Sequence, residues 1–195
     1  FVTCNGCSKA KKNSWKIMKI GIVTIYNVPN YGAILQAYSL AEYLRREGHE
    51  VVLFNVDSPK RHPYIYKLKR LFKLGFIDKF QQRNYPAITS NLNEEVDIYM
   101  VGSDQVWNIE ITQADYDKYF LAFALHNRKV SYAASFGNNE WDFPSKRNEI
   151  RGFLSAFKYI TVREEMGVNI LKDEFNMKGN CVLDPCFLLD GNDFL

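Results

Sequence analysis

Apolar residues fall in short closed runs along this chain, and two spacings alternate. Runs that are apolar on successive positions occur at KIGIVTI (19–25), EVVLFNV (50–56), VDIYMV (96–101), KVSYAAS (129–135), YITV (159–162) and CVL (181–183). Each is short enough to read as a strand, and each is bounded by polar or turn-forming residues. Between several of them the period lengthens. Ala33, Ala37, Leu40, Ala41 and Leu44 form a stripe at helical spacing, with Asn30 placed to cap its start and Gly48 to stop it. Pro144 suits the first turn of a helix running to about Lys158. Arg163 to Phe175 predicts another, with Val168 and Leu171 turned inward. Residues 57–95 are less regular and read as helix with loops. Strands apolar on both faces, alternating with helices, predict an α/β fold with a parallel sheet covered on both sides.

Composition narrows the classes. The 195 residues are 47% hydrophobic and 24% charged, the balance of an ordinary globular chain. No window reaches the roughly 18 uninterrupted apolar residues of a membrane span, and no signal-peptide core opens the chain, so a cytoplasmic location is expected. Residues 1–17 are polar and without period, and Met18 precedes the first strand. They read as an appendage or linker ahead of a native start at Met18. Cys4 and Cys7 have the spacing of half a zinc or iron–sulfur site, but Cys181 and Cys186 do not supply a matching half. Reduced thiols and no metal is the reading preferred here.

Charge is uneven. Between Lys60 and Lys79 lie seven Lys or Arg and one Asp, a local +6 on a chain of net +3. That is a patch on a near-neutral protein, unlike the overall charge of a nucleic-acid binder. Within it, YIYKLKRLFKL (64–74) sets Ile65, Leu68, Leu71 and Phe72 near one helical face, with Lys67, Arg70 and Lys73 elsewhere. Such a segment can lie on an anionic membrane, or form a solvated helix face.

In open α/β sheets ligands bind beyond the carboxyl ends of the strands, so the residues after each run are the candidates. The first strand ends in YNVPNYGA. There Asn30, Tyr31 and Gly32 open a helix whose free N–H groups can hold an anion, or Asn30 is simply its cap. The third strand ends in GSDQVWN. Gly102 permits a turn and a close approach, and Ser103, Asp104 and Asn108 offer polar groups. Trp107 can wall a cleft or pack in the core. A capped βα turn explains the same residues without a ligand. Ser135, Phe136 and Gly137 follow the fourth strand, and Arg163 follows the fifth. Arg163 is either an anion contact or a surface partner of Glu164 or Glu165. No dinucleotide fingerprint, P-loop, nucleophile elbow or HExxH motif is present. His49, His62 and His126 each read as surface histidines.

Taken together, NYGAILQAYSL, VGSDQVWN, KVSYAASFG, TVREEMG and VLDPCFLL stand in the order and separation seen in the polysaccharide pyruvyl transferase family. From about Met18 to its end the chain resembles that family, with Cys186 as one departure after Asp-Pro. The resemblance implies a Rossmann-like domain at 18–185, like the N-terminal half of a glycosyltransferase-B enzyme. Residues 186–195 would then start a crossover to a second domain that is missing, along with the family's Arg and His motif. It implies transfer of a pyruvyl group from phosphoenolpyruvate to two sugar hydroxyls as a ketal, in bacterial surface polysaccharide synthesis.

That chemistry asks for cationic clamps, an acid and a base, with no cofactor beyond the donor itself. By the same resemblance Arg163 contacts the donor anion and Asp104 orients or deprotonates an acceptor hydroxyl. Asn30, Tyr31, Gly32, Gly102, Ser103, Trp107, Asn108, Ser135 and Gly137 would line the substrates. Expected partners are phosphoenolpyruvate and a glycan or lipid-linked saccharide, with peripheral membrane contact through 60–79 and no nucleic acid. The chain alone is expected to be inactive. Two other readings stay open: half of a sugar-nucleotide glycosyltransferase, and a non-catalytic remnant or glycan-binding module.

Overall fold

A computed structural model describes residues 16–57, 75, 77–124 and 128–194. Residues 1–15, with Cys4 and Cys7, lie outside the described residues, as do 58–74 and 76. The expectations for an N-terminal appendage and for the amphipathic basic segment therefore fall largely there. No helix among the described residues is long and apolar enough to cross a membrane.

The central element is the first strand, β1 (Lys19–Val23), flanked by β2 (Glu50–Phe54) and β4 (Ile98–Val101). With β3 (Ala87–Thr89), β5 (Lys129–Ser131) and β6 (Phe157–Tyr159) they make one parallel sheet in the order β3-β2-β1-β4-β5-β6. This is the doubly wound order, with the strand direction of growth reversing between β1 and β4. The ladder continues past the strand ends. Asp104 bridges Ala134, Ala134 bridges Val162, and β7 (Thr161–Val162) pairs with β8 (Asn180–Cys181). The loops after β4, β5 and β7 are thus fixed side by side at one edge.

Alternation along each strand fills two cores. Ile20, Ile22, Val51 and Leu53 face Ala37, Leu40 and Ala41 of α1 (Tyr31–Arg46). Val23, Val52, Phe54 and Val101 point the other way. There they join Ile150 and Leu154 of α5 (Arg147–Ser155) and Ile170, Leu171 and Phe175 of α6 (Glu165–Phe175). Shorter helices are α2 (77–84), α3 (Ile109–Thr112) and α4 (Tyr116–Tyr119).

The expected elements are present with shifted ends. The run 159–162 is split, β6 and β7 being separated by Ile160, and a register shift opposite Lys129 and Val130 marks the irregularity. Pro144 opens a 3-10 turn, and α5 stops at Ser155 because Lys158 already belongs to β6. Arg163 precedes α6 rather than starting it. Residues 57–95 contain β3 as well as helix.

The last described residues run back over α1. A 3-10 turn at Pro185–Leu188 sets Leu188 against the α1-side core. Beyond it Asp193 pairs with Arg46 at 2.8 Å, and the Phe194 ring meets Tyr38 edge-on at 6.1 Å.

Candidate functional site

The segment after β4 is built from inside outward. Gly102 donates its N–H to Val23 O at 2.9 Å, and a Cβ there would come within 2.9 Å of Thr24 Cβ, so only glycine lets the two strand ends close. Thr24 is held by Gln36 of α1, whose amide donates to Thr24 Oγ1 at 3.0 Å; the Thr24 hydroxyl in turn donates to Ser103 O at 2.6 Å. Both residues are 2% exposed. This buried polar chain ends in Ser103, whose hydroxyl donates to Asp184 Oδ2 at 2.7 Å.

Asp104 follows with φ of 81°, a left-handed conformation that Asp tolerates better than most residues. Its Oδ1 accepts the Gln105 N–H at 2.8 Å. Burial pushes its carboxyl above the ordinary range; the Gln105 N–H and Arg163 act against that shift, and Asp184 adds to it.

Arg163 enters from the end of β7, its backbone N–H bound to Ala134 O at 3.0 Å. Its Nε donates to Glu164 Oε1 at 2.9 Å, and its Nη1 lies 3.4 Å from Asp184 Oδ2 and 3.5 Å from Ser103 Oγ. Burial works to lower its pKa, yet the carboxylates of Glu164 and Asp184 outweigh burial and hold it above the ordinary value. Asp184 shows the reverse balance. Burial acts to raise it, but the Cys186 N–H, the Ser103 hydroxyl and Arg163 keep it below the ordinary value.

A cleft of about 120 Å³ opens beside Arg163. Gln105, Ser135–Asn139, Glu164 and the first turn of α6 at Met166 and Gly167 line it. Ser135 is 0% exposed, and its hydroxyl accepts the Gly137 N–H at 3.0 Å. Gly137 has φ of 75°, and a Cβ would lie 2.7 Å from both Asn108 Nδ2 and Gln105 Oε1. The α6 start has no side-chain cap, because Glu164, at the capping position, turns to Arg163. A guanidinium beside the positive end of a helix suits an anion.

The sequence candidates separate into three groups. Arg163, Ser135 and Gly137 line the cleft, while Ser103 bonds Arg163 and Asp104 is electrostatically coupled to it. Gly102 lies behind them. Trp107 and the α1 trio lie elsewhere, and Asn108 sits behind the lining, its Nδ2 donating to Gln105 Oε1 at 3.3 Å. Trp107 is 0% exposed, stacked on Phe120 at 5.5 Å with its Nε1 donating to Tyr119 O, so its faces are covered by protein and present nothing to a sugar. Asn108 is 6% exposed and caps α3 through the Glu110 N–H. Asn30 caps α1, accepting from Gly32 N at 2.8 Å, and neither it nor Tyr31 nor Gly32 lines this cleft.

Gln105, Asn138, Asn139, Glu164 and Asp184 were not singled out from the sequence. Three of them adjoin residues that were, Asn139 is two positions from Gly137, and Asp184 stands in the VLDP motif. Strand-end position alone marks the loop but not which side chain turns inward.

A doubly wound sheet with an arginine-bearing cleft at the carboxyl ends of its strands defines a Rossmann-like α/β protein. The chain belongs to the polysaccharide pyruvyl transferase family, whose model matches residues 30–194. It is a transferase-family protein at that level, with a polysaccharide as the general acceptor. No curated protein gives a significant match.

Proposed function

We propose that this protein takes part in pyruvyl transfer from phosphoenolpyruvate to two hydroxyls of a sugar, forming a cyclic ketal and releasing phosphate. The observation that carries this reading is Arg163 in a cleft against the uncapped N-terminus of an 11-residue helix. A guanidinium and helix N–H groups together match a carboxylate or phosphate.

In the reaction a proton adds to the donor's methylene carbon, leaving an oxocarbenium-like centre at the carbon bearing phosphate. One sugar oxygen bonds to that carbon and loses its proton. A second sugar oxygen then replaces the phosphate, and its proton leaves with the phosphate or solvent. Arg163 binds the donor anion. Asp104, raised by burial, is the stronger base for it and accepts a hydroxyl proton. The 120 Å³ cleft is below the ~300–1,000 Å³ of ordinary ligand pockets, so it serves as one wall of a larger site. The setting we infer is surface polysaccharide synthesis in a bacterial cytoplasm, with a glycan or lipid-linked saccharide as acceptor.

The test is calorimetric titration with phosphoenolpyruvate, then with a nucleotide sugar, alongside phosphate release in the presence of an oligosaccharide acceptor. The proposal expects binding of phosphoenolpyruvate, abolished in Arg163→Ala. Binding of the nucleotide sugar alone would instead assign the glycosyltransferase reading.

A further inference from the structure

We propose that Asp184 is a positioning residue for Arg163, fixing the guanidinium so that its free edge meets an anion in the cleft. The inference rests on the reading of Arg163 as the donor contact and adds a residue to that site.

The arrangement is over-determined at Asp184. Its Oδ1 accepts the Cys186 N–H at 3.0 Å, and Pro185 opens the 3-10 turn behind it. Its Oδ2 takes both the Ser103 hydroxyl and the Arg163 guanidinium. Ser103 is itself pinned by the buried Thr24 and Gln36 pair. Three segments distant in sequence therefore meet on one oxygen atom. An arginine side chain has many rotamers, and holding one of them in the free protein removes an ordering cost from binding. Its hydrogen bonds use Nε and Nη1, and Nη2 has no hydrogen-bond partner among the described residues.

Glu164 is a poorer anchor. Its side chain is 40% exposed against 19% for Asp184, and it borders the cleft itself. Asp184 approaches from the protein side and is held by its own backbone turn.

The experiment measures phosphoenolpyruvate affinity of the full chain by calorimetry for wild type, Arg163→Ala, Asp184→Asn and the double variant. Asp184→Asn keeps an oxygen for the Cys186 N–H but loses the charge. It should weaken binding on the order of tenfold, the scale of one hydrogen bond to a charged group. The double variant should be no weaker than Arg163→Ala alone, because the two residues act as a unit. Millimolar guanidinium ion should restore part of the affinity of Arg163→Ala and none of the double variant's. If Asp184→Asn does not fold, Asp184→Ser keeps a capping oxygen and takes its place.

Two results separate the failures. Weak binding in Arg163→Ala with Asp184→Asn within twofold of wild type, or equal guanidinium rescue of both backgrounds, overturns the positioning role alone. Unaltered affinity in Arg163→Ala, or no binding by wild type, removes the donor-site reading and the positioning role with it.

Discussion

Single residues at the cleft are held by local geometry as much as by chemistry. Gly137 shows this plainly. Its φ of 75° and the 2.7 Å approach of Asn108 and Gln105 leave no room for a side chain. Gly137→Ala is expected to cost about 1–3 kcal/mol through left-handed strain and local overpacking. A lowered urea midpoint with unchanged slope would register it, and an unchanged midpoint would show that the loop re-forms. Residue types were legible here only in part. Arg163, Ser135 and Gly137 could be picked out because they follow apolar runs. Trp107 was equally well placed in sequence, yet Phe120 and Phe136 enclose it. Nothing in the order of residues tells which way a turn after a strand rolls its aromatic. Asp184 was hidden for a different reason: its partners are 21 and 81 positions away.

Elements follow the chain's periodicity where packing agrees with it. α1 was readable end to end, since Asn30 caps it and Gly48 follows its last turn. Asn30→Ala should lower stability by about 0.5–2 kcal/mol, and Asn30→Ser should recover most of it. Thermal unfolding of the pair checks this, with donor affinity as the control. A loss of affinity that Ser fails to rescue would return Asn30 to the substrate site. β3 was not readable. Its three residues, Ala-Ile-Thr, sit at a sheet edge with Ile88 51% exposed, so neither length nor burial marks them. β6 and β7 merged in sequence because the residue that divides them, Ile160, is itself apolar.

At the scale of the molecule, charge pairs tie distant segments and set the response to acid. Asp184, Asp193 and Glu149 all lie below their ordinary pKa values. Asp184 is held there by the Cys186 and Ser103 hydrogen bonds with Arg163 against its burial, Asp193 chiefly by Arg46, and Glu149 chiefly by Tyr116. A carboxyl depressed in the folded state stabilises it above the ordinary value, and that contribution disappears as pH falls through the folded pKa. Asp104 has the opposite sign, favouring the folded state where it is protonated. The fold should therefore weaken below pH 3.8, the ordinary value for Asp184. In Asp184→Asn that decline should be shallower while stability at neutral pH is lower. Urea unfolding followed from neutral pH into the acid range decides it, and parallel curves for both proteins would contradict it. A parallel sheet with a core on each face was foreshadowed by alternating periods, but its strand order was not. The ties between Asp184, Arg163 and Ser103 were not, because pairing across such separations depends on the folded topology.

The segment that runs back over α1 has a consequence in time. During synthesis β1, α1 and β2 emerge before the strands that complete their sheet and the segment that covers α1. Yet Tyr38 and Arg46 wait for Phe194 and Asp193, some 150 residues later, as the 155- and 147-residue separations of their contacts show. Asp184 reaches the Ser103 hydroxyl on the same late schedule. Until Asp193 and Phe194 are made, the nascent chain carries an incompletely covered α1, while Arg163 waits only the 21 residues to Asp184. The segment from Asp184 to Phe194 thus supplies both the cover of that helix face and the second anchor of Arg163.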